Sequence, residues 1–190
     1  LGFNSADRID LAEGTAFVRG GATELFDVEN VITQHGGDVQ LRGNDSDNVL
    51  FTSDGRDMLT GRGGNDAIYG NEGRDVLWGG AGQDTLRGGD DNDFLGALNT
   101  SDNGESELYD GEAGRDVLSY ATGLTEIREF LSGNVTYTSM LNSAMADAES
   151  TGPVVIRTEL GQIDRLDANG RVIATDVARN IEHFIGSDSD

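Results

Sequence analysis

From residue 48 to residue 93 a carboxylate or its amide returns every ninth position: Asn48, Asp57, Asp66, Asp75, Asp84 and Asp93, with Asp116 following after a break. Side chains of this type at fixed spacing are suited to holding hard cations. Glycine fills most of the first, second and fourth positions of the same nine-residue frame, and a glycine-rich turn exposes backbone carbonyls, which are hard oxygen ligands as well. Carboxylates and carbonyls at a flexible site, without Cys and with only two His in the chain, favour Ca²⁺ over zinc or copper. The candidate metal set is the seven sixth-position residues just named together with the turn residues Gly61, Gly63, Gly70, Gly79, Ala81, Gly88, Asp90, Gly111 and Ala113. Several ions, about four to six, would be held this way.

The elements that must position these ligands follow from the frame. Six units run without a gap, GNDSDNVLF, TSDGRDMLT, GRGGNDAIY, GNEGRDVLW, GGAGQDTLR and GGDDNDFLG, over 43–96. A seventh, GEAGRDVLS, begins at Gly111, and a degenerate QHGGDVQLR precedes the run in phase. Six residues of Gly, Asn and Asp make a turn that visits positive φ. The remaining three are enough for a short strand, in which neighbours face opposite ways. The eighth position is Leu41, Leu50, Leu59, Ile68, Leu77, Leu86, Leu95 and Leu118, so one large aliphatic per unit points inward while positions seven and nine point out. Two units make one coil, and coils stack as parallel strands about 4.8 Å apart, on a path expected to be right-handed. Stacking aligns the sixth-position residues of alternate units: Asn48, Asp66 and Asp84 in one column, Asp57, Asp75 and Asp93 in the other. Carboxylates about 5 Å apart repel by about 3 kcal/mol at an effective dielectric near 20, so such columns need a cation between rungs. A core one residue thick is marginal by itself. The metal should therefore supply much of the folding free energy, and the metal-free chain should be largely disordered.

Composition excludes other classes. The 190 residues carry 35 acids against 13 bases, all Arg, for a net charge of −22. No basic face for nucleic acid can be built from this balance, and attraction to an anionic membrane surface is opposed by it. No apolar stretch approaches the length of a transmembrane span. The absence of Cys removes disulfides, thiol catalysis and Cys-based zinc sites. Glycine, 28 residues, is at roughly twice its usual share.

The frame GGxGxDxUx resembles the nonapeptide of the RTX (repeats-in-toxin) family, a signature associated with Ca²⁺ binding. The layout, one roll followed by a connecting segment leading into another, resembles the RTX blocks of adenylate cyclase toxin-haemolysin. The resemblance covers 34–119 in motif and the whole chain only in layout. It implies a mainly β fold, a right-handed parallel β-roll with mixed α/β capping or connecting flanks. It also implies a secreted protein, passage through a type I secretion channel, folding on Ca²⁺ outside the cell, and neighbouring RTX blocks of the same chain as partners. The departures are Asn48 for Asp, Val39 at the sixth position of the leading unit, and Thr52-Ser53 where Gly-Gly is expected; these should weaken the N-terminal rungs first.

The flanks suggest a longer period. Asp27–Ile32 and the segment 180–185 align at a register of 153 residues, as if the same leader preceded two rolls. Together with a first residue that is Leu, this makes the sequence read as an excised piece of a tandem array. The divisions are 1–33, tail of a preceding connector and leader strand; 34–119, the roll; 120–185, a connector or cap; and 186–190, the start of a next block. A loop is expected after Ala97, replacing a half-coil so that Asp116 falls under Asp93. A short amphipathic helix is expected over 139–149, a strand over 154–160, and a hairpin turn at Asn169-Gly170.

Other motifs weigh little. Ser101-Asp102-Asn103 spells a β-lactamase element, but no Lys exists to accompany it. Residues 165–176 partly fit an EF-hand loop, except that Arg165 stands at the first ligand position, which favours a turn. His35 and His183 stand alone, and no residue set predicts catalysis, so the chain reads as no enzyme. Asp45, Asp47, Asp54, Asp90 and Asp91 carry side chains expected to face solvent. The leading reading is a structural, calcium-folded block of a toxin or adhesin that meets a host cell surface. The alternative is a glycan-binding module of an extracellular polysaccharide-modifying enzyme, with Tyr69 and Trp78 as a small sugar-stacking face.

Overall fold

The computed structural model describes residues 7–18, 21–24, 28–33, 37–97, 105–120, 154–167 and 169–185. Two sheets face each other across a single layer of side chains. The first runs His183–Ile185, Val117–Ser119, Phe94–Gly96, Val76–Ala81, Met58–Gly63, Val39–Arg42, Asp7–Asp10, Thr15–Val18 and Gly21–Glu24. The second runs Val154–Arg157, Gln162–Leu166, Val172–Arg179, Leu108–Ala113, Thr85–Asp90, Ala67–Gly73, Val49–Phe51 and Asn30–Ile32, with Asp54–Gly55 paired beside Ala67–Gly73. Successive nonapeptides alternate between the sheets and pair in parallel with the unit two places on. Leu41 lies opposite Leu59, Leu59 opposite Leu77 and Leu77 opposite Leu95. In the other sheet Leu50, Ile68 and Leu86 align in the same way. The fold is a parallel β-roll.

All eight eighth-position aliphatics are at most 1 % exposed and belong to one continuous cluster. The tight stacking depends on glycine at the turns. Gly73 has φ +120°, and a Cβ there would strike the Gly55 carbonyl of the coil before it.

The stack continues beyond the nonapeptides. Ile9 lies opposite Leu41, and Val31 opposite Leu50. At the other end Ala178 stacks on Tyr109 and Phe184 on Leu118, both in parallel register. The half-coil after Ala97 is not simply a loop: Leu108–Ala113 supplies its strand, with Tyr109 following Leu86 in the inward row. The described flanks are β-hairpins, Asp7–Asp10 with Thr15–Val18 and Gly21–Glu24, and Val154–Arg157 with Gln162–Leu166 and Val172–Arg179. The strand expected over 154–160 ends at Arg157, and a 3-10 turn, Thr158–Leu160, takes up the rest of that stretch. The second hairpin turns where Asn169-Gly170 was expected to place it; Asp167 accepts the Asn169 and Arg171 N–H groups. These bonds hold its carboxyl below the usual carboxylate range. The helix expected over 139–149 lies outside the described residues, as does His35, and the mixed α/β character of the flanks is not seen among the described ones.

The outward positions differ between the sheets. On the first sheet Met58, Val76, Phe94 and Trp78 are buried; on the second Val49 is 38 % exposed and Ala67 and Thr85 are half-buried. Trp78 packs beside Phe94, with ring centroids 6.2 Å apart, while Tyr69 sits on the opposite sheet against Phe51. A shared sugar-stacking face made of Trp78 and Tyr69 is therefore ruled out.

Candidate metal centre

Each sixth-position residue ends a turn, just before its unit's short strand begins. The column Asp57, Asp75, Asp93 and Asp116 forms a ladder. Val39 N–H donates to Asp57 Oδ1 (2.7 Å), Asp57 N–H to Asp75 Oδ1 (2.7 Å), Asp75 N–H to Asp93 Oδ1 (2.8 Å) and Asp93 N–H to Asp116 Oδ1 (2.8 Å). Asp116 thus falls under Asp93 despite the longer spacing. The other column repeats the pattern: Asn48 N–H to Asp66 Oδ1 (2.7 Å), Asp66 N–H to Asp84 Oδ1 (2.8 Å), then Asp84 N–H to Glu107 Oε2 (2.6 Å).

One carboxylate oxygen per rung is satisfied in this way. The other is not: Oδ2 of Asp57, Asp66, Asp75, Asp93 and Asp116 is buried without a hydrogen-bond partner. None of these five residues, nor Asp84, makes an ion pair among the described residues. Their surroundings are shown by what a methyl group would meet. A Cβ on Gly61 would run into Asp66 Oδ2 and lie 2.6 Å from the Gly79 carbonyl; one on Gly70 would run into Asp75 Oδ2 and lie 2.7 Å from the Gly88 carbonyl. On Gly88 it would run into Asp93 Oδ2 and come within 2.9 Å of the Gly111 carbonyl, and on Gly79 it would strike Asp84 Oδ2. Gly61, Gly70 and Gly88 each leave a cradle lined by a carboxylate oxygen and by a carbonyl oxygen of the stacked turn. The third-position residues pair along the same stack, Gly63 beside Ala81 and Asp90 beside Ala113.

This donor chemistry fits a hard divalent cation: oxygens only, anionic and carbonyl mixed. No three of His, Cys, Asp and Glu come together among the described residues, so carbonyls must supply much of any coordination sphere. Asp66, Asp75 and Asp93 would hold the ions with the carbonyls of Gly79, Gly88 and Gly111, Asp57, Asp84 and Asp116 would add carboxylates along the same columns, and the ions would neutralise a buried row of carboxylates; the Gly61 carbonyl faces Asn48 instead. Gly70 differs, because its carbonyl already accepts the Thr52 hydroxyl at 2.8 Å. Asn48 differs too: its Oδ1 accepts the Asn44 N–H and its Nδ2 donates to the Glu29 carbonyl. The two heads of the columns are thus closed by neutral donors, at the positions where the frame departs from its pattern.

Burial pushes the carboxyls of the six sixth-position aspartates up, against the lowering effect of the N–H bond each accepts. Asp57, Asp84 and Asp116 rise to about 6, Asp66 to about 7, Asp75 to about 8 and Asp93 to about 9. Neighbouring carboxylates add to the rise, Asp75 and Asp116 acting on Asp93. A carboxyl raised in the fold binds protons there more tightly than in the unfolded chain. Without metal, that contribution is fully present below the unfolded values near 4 and is lost as pH rises through about 6 to 9. Ca²⁺ must displace those protons. Because the metal-free chain is unfolded at pH 7 and its carboxyls are then already ionised, Ca²⁺-coupled folding is expected to release few protons at pH 7 to 8, and proton release should grow as the pH falls toward about 5, where protons hold part of the fold. Calorimetry in buffers of different ionisation enthalpy, with a pH series of titrations, measures both.

Three ladder residues escaped the nonapeptide pattern. Glu107 takes the sixth position after Asp84, and Asp176 follows it, accepting the Glu107 N–H at 3.0 Å. Glu182 follows Asp116, accepting its N–H at 2.8 Å. Each stands two residues before an inward side chain, Tyr109, Ala178 and Phe184. Asp45, Asp47, Asp54, Asp90 and Asp91 are exposed, although Asp47 caps the stacked turn by accepting the Asn65 N–H. His183 is exposed on its strand.

Residues 36–59, 42–77 and 60–95 match the RTX calcium-binding nonapeptide repeat (4 copies), and no curated protein is significantly similar to the chain. The matched segments coincide with the coils that carry the ladder of Asp57, Asp66, Asp75, Asp84 and Asp93. Over residues 36–95 the roll of this chain is built from RTX calcium-binding nonapeptide repeats.

Proposed function

We propose that this chain is a non-catalytic calcium-binding block of a large secreted bacterial protein, a toxin or adhesin, which stays unfolded at cytosolic Ca²⁺, passes through a type I secretion channel and folds outside the cell. The observation that carries the reading is the row of five buried, unpartnered Oδ2 atoms, four of which, on Asp66, Asp75, Asp93 and Asp116, face carbonyl-lined glycine cradles. Such a row is costly without cations and becomes a folding switch when they arrive. Five orphaned oxygens suit an occupancy of about four to six ions, and extracellular calcium modules typically bind at about 10⁻⁴–10⁻³ M, above cytosolic and near extracellular levels. No described helix is long and apolar enough to cross a membrane. The partners proposed are neighbouring RTX blocks, the secretion channel in transit, and a host surface or glycan reached by the whole protein. Limited proteolysis tests the switch: digestion of the roll in chelator and protection of 34–119 at millimolar Ca²⁺ is expected, and equal resistance in both would defeat it.

A further inference from the structure

Of the three carboxylates that continue the columns beyond the nonapeptides, Glu107, Asp176 and Glu182, the first two meet a buried arginine. The column Asn48, Asp66, Asp84 continues through Glu107 to Asp176 by the same N–H to carboxylate steps. At these last two rungs the carboxylates no longer face carbonyls alone. Arg165, 4 % exposed, places Nε 3.2 Å from Asp176 Oδ2 and an Nη 3.8 Å from Glu107 Oε1. The same Nη donates to the Glu105 carbonyl. Tyr120 donates its hydroxyl to Asp176 Oδ2 at 2.6 Å. A positive charge thus sits among two column carboxylates and a backbone carbonyl, the donor set that elsewhere surrounds the orphaned oxygens. The opposite column ends without such a charge: Asp116 Oδ2 has no partner, although Glu182 accepts the Asp116 N–H.

We propose that the Arg165 guanidinium is a built-in cation replacing Ca²⁺ at the last rung of the Asn48–Asp66–Asp84–Glu107–Asp176 column, so that this end of the roll carries its own counter-charge without metal. The proposal rests on the calcium reading above. A guanidinium keeps its charge at all working pH values and offers five donors in a fixed fork, so this rung does not respond to Ca²⁺ concentration. A divalent ion placed against it would be repelled in a poorly screened site. Arg165 is delivered by the hairpin strand Gln162–Leu166, opposite Ala174. The partner strand Val172–Arg179 carries Asp176 and pairs in parallel with Leu108–Ala113. The hairpin therefore brings the charge and one of its carboxylates to the roll together.

The test uses the whole chain with Arg165→Gln and Arg165→Lys, reading bound Ca²⁺ per chain by equilibrium dialysis and the folding midpoint by circular dichroism. Arg165→Gln is expected to gain one bound ion and to fold at higher Ca²⁺. Arg165→Lys is expected to keep the wild-type ion count. An unchanged count and midpoint in Arg165→Gln overturns the proposal. If that variant does not fold at saturating Ca²⁺, the double change with Asp176→Asn decides: recovery of folding supports a counter-ion role, and continued failure overturns it. Wild-type protein that binds no Ca²⁺ would instead defeat the calcium reading itself, which the variants alone would not show.

Discussion

In excess chelator at pH 8 the far-UV β-signal of this chain is expected to be lost, and millimolar Ca²⁺ is expected to restore it in a cooperative step. The magnitude follows from the inventory of buried groups. Burying one ionised carboxylate without a compensating partner costs several kcal/mol, and here Asp57, Asp66, Asp75, Asp93 and Asp116 each bury an oxygen with no partner. Folded domains have only about 5–15 kcal/mol in hand. Protonation is the other way to remove the charge, and at pH 8 it is largely lost for the carboxyls raised only to about 6 or 7. The single-layer core of Leu41, Leu50, Leu59, Ile68, Leu77, Leu86, Leu95 and Leu118 is fully buried already and has no further apolar area to contribute. Lowering the pH in chelator should return part of the β-signal, since protons then take over the neutralising role.

Asp75→Ala is expected to be far more damaging than Asp54→Ala. Asp75 is wholly buried at the centre of its column. Its Oδ1 receives the Asp57 N–H and its own N–H reaches Asp93. Its Oδ2 stands over Gly70 beside the Gly88 carbonyl. Truncation removes a ligand and leaves the buried Asp57 N–H unsatisfied, a loss of about 1–3 kcal/mol for the donor alone, or roughly 5- to 150-fold in the folding equilibrium. Asp54 is exposed, and the bond it makes to Gly37 uses its backbone carbonyl, which Ala retains. Calcium titrations of the two variants should separate clearly, Asp75→Ala needing more Ca²⁺ and Asp54→Ala overlaying the parent. Coincident curves would mean that the nine-residue frame has been misassigned.

Much of this architecture is legible in the sequence because two physical demands share one period. A stacked coil needs one inward aliphatic and one ladder acceptor per unit, and both recur at nine residues. Where the period fails, the demands persist in other residues. Ser106-Glu107-Leu108-Tyr109 meets them with a glutamate and an aromatic and without a Gly-Gly turn, so composition hides it. Glu182-His183-Phe184 and Asp176-Val177-Ala178 meet them from the connector. The surviving signal is an acid two residues before an apolar side chain, too weak to stand without the stack beside it. The asymmetry of the outer faces was visible in principle, since the seventh position alternates between Met58, Val76 and Phe94 in one set of units and Val49, Ala67 and Thr85 in the other. It emerges only once the two-unit coil separates those sets into two sheets. Arg165 could not be read at all from spacing, because its meeting with Glu107 depends on a hairpin folding back across some 60 residues.

The most direct measurement is a crystal structure of the chain grown in Ca²⁺, with anomalous scattering used to locate the ions. The account predicts peaks about 2.3–2.6 Å from Oδ2 of Asp66, Asp75 and Asp93, each shared with a first-position glycine carbonyl of the stacked turn. Intact coils with no peak between rungs, or ions found only against exposed acids such as Asp45 and Asp91, would contradict it.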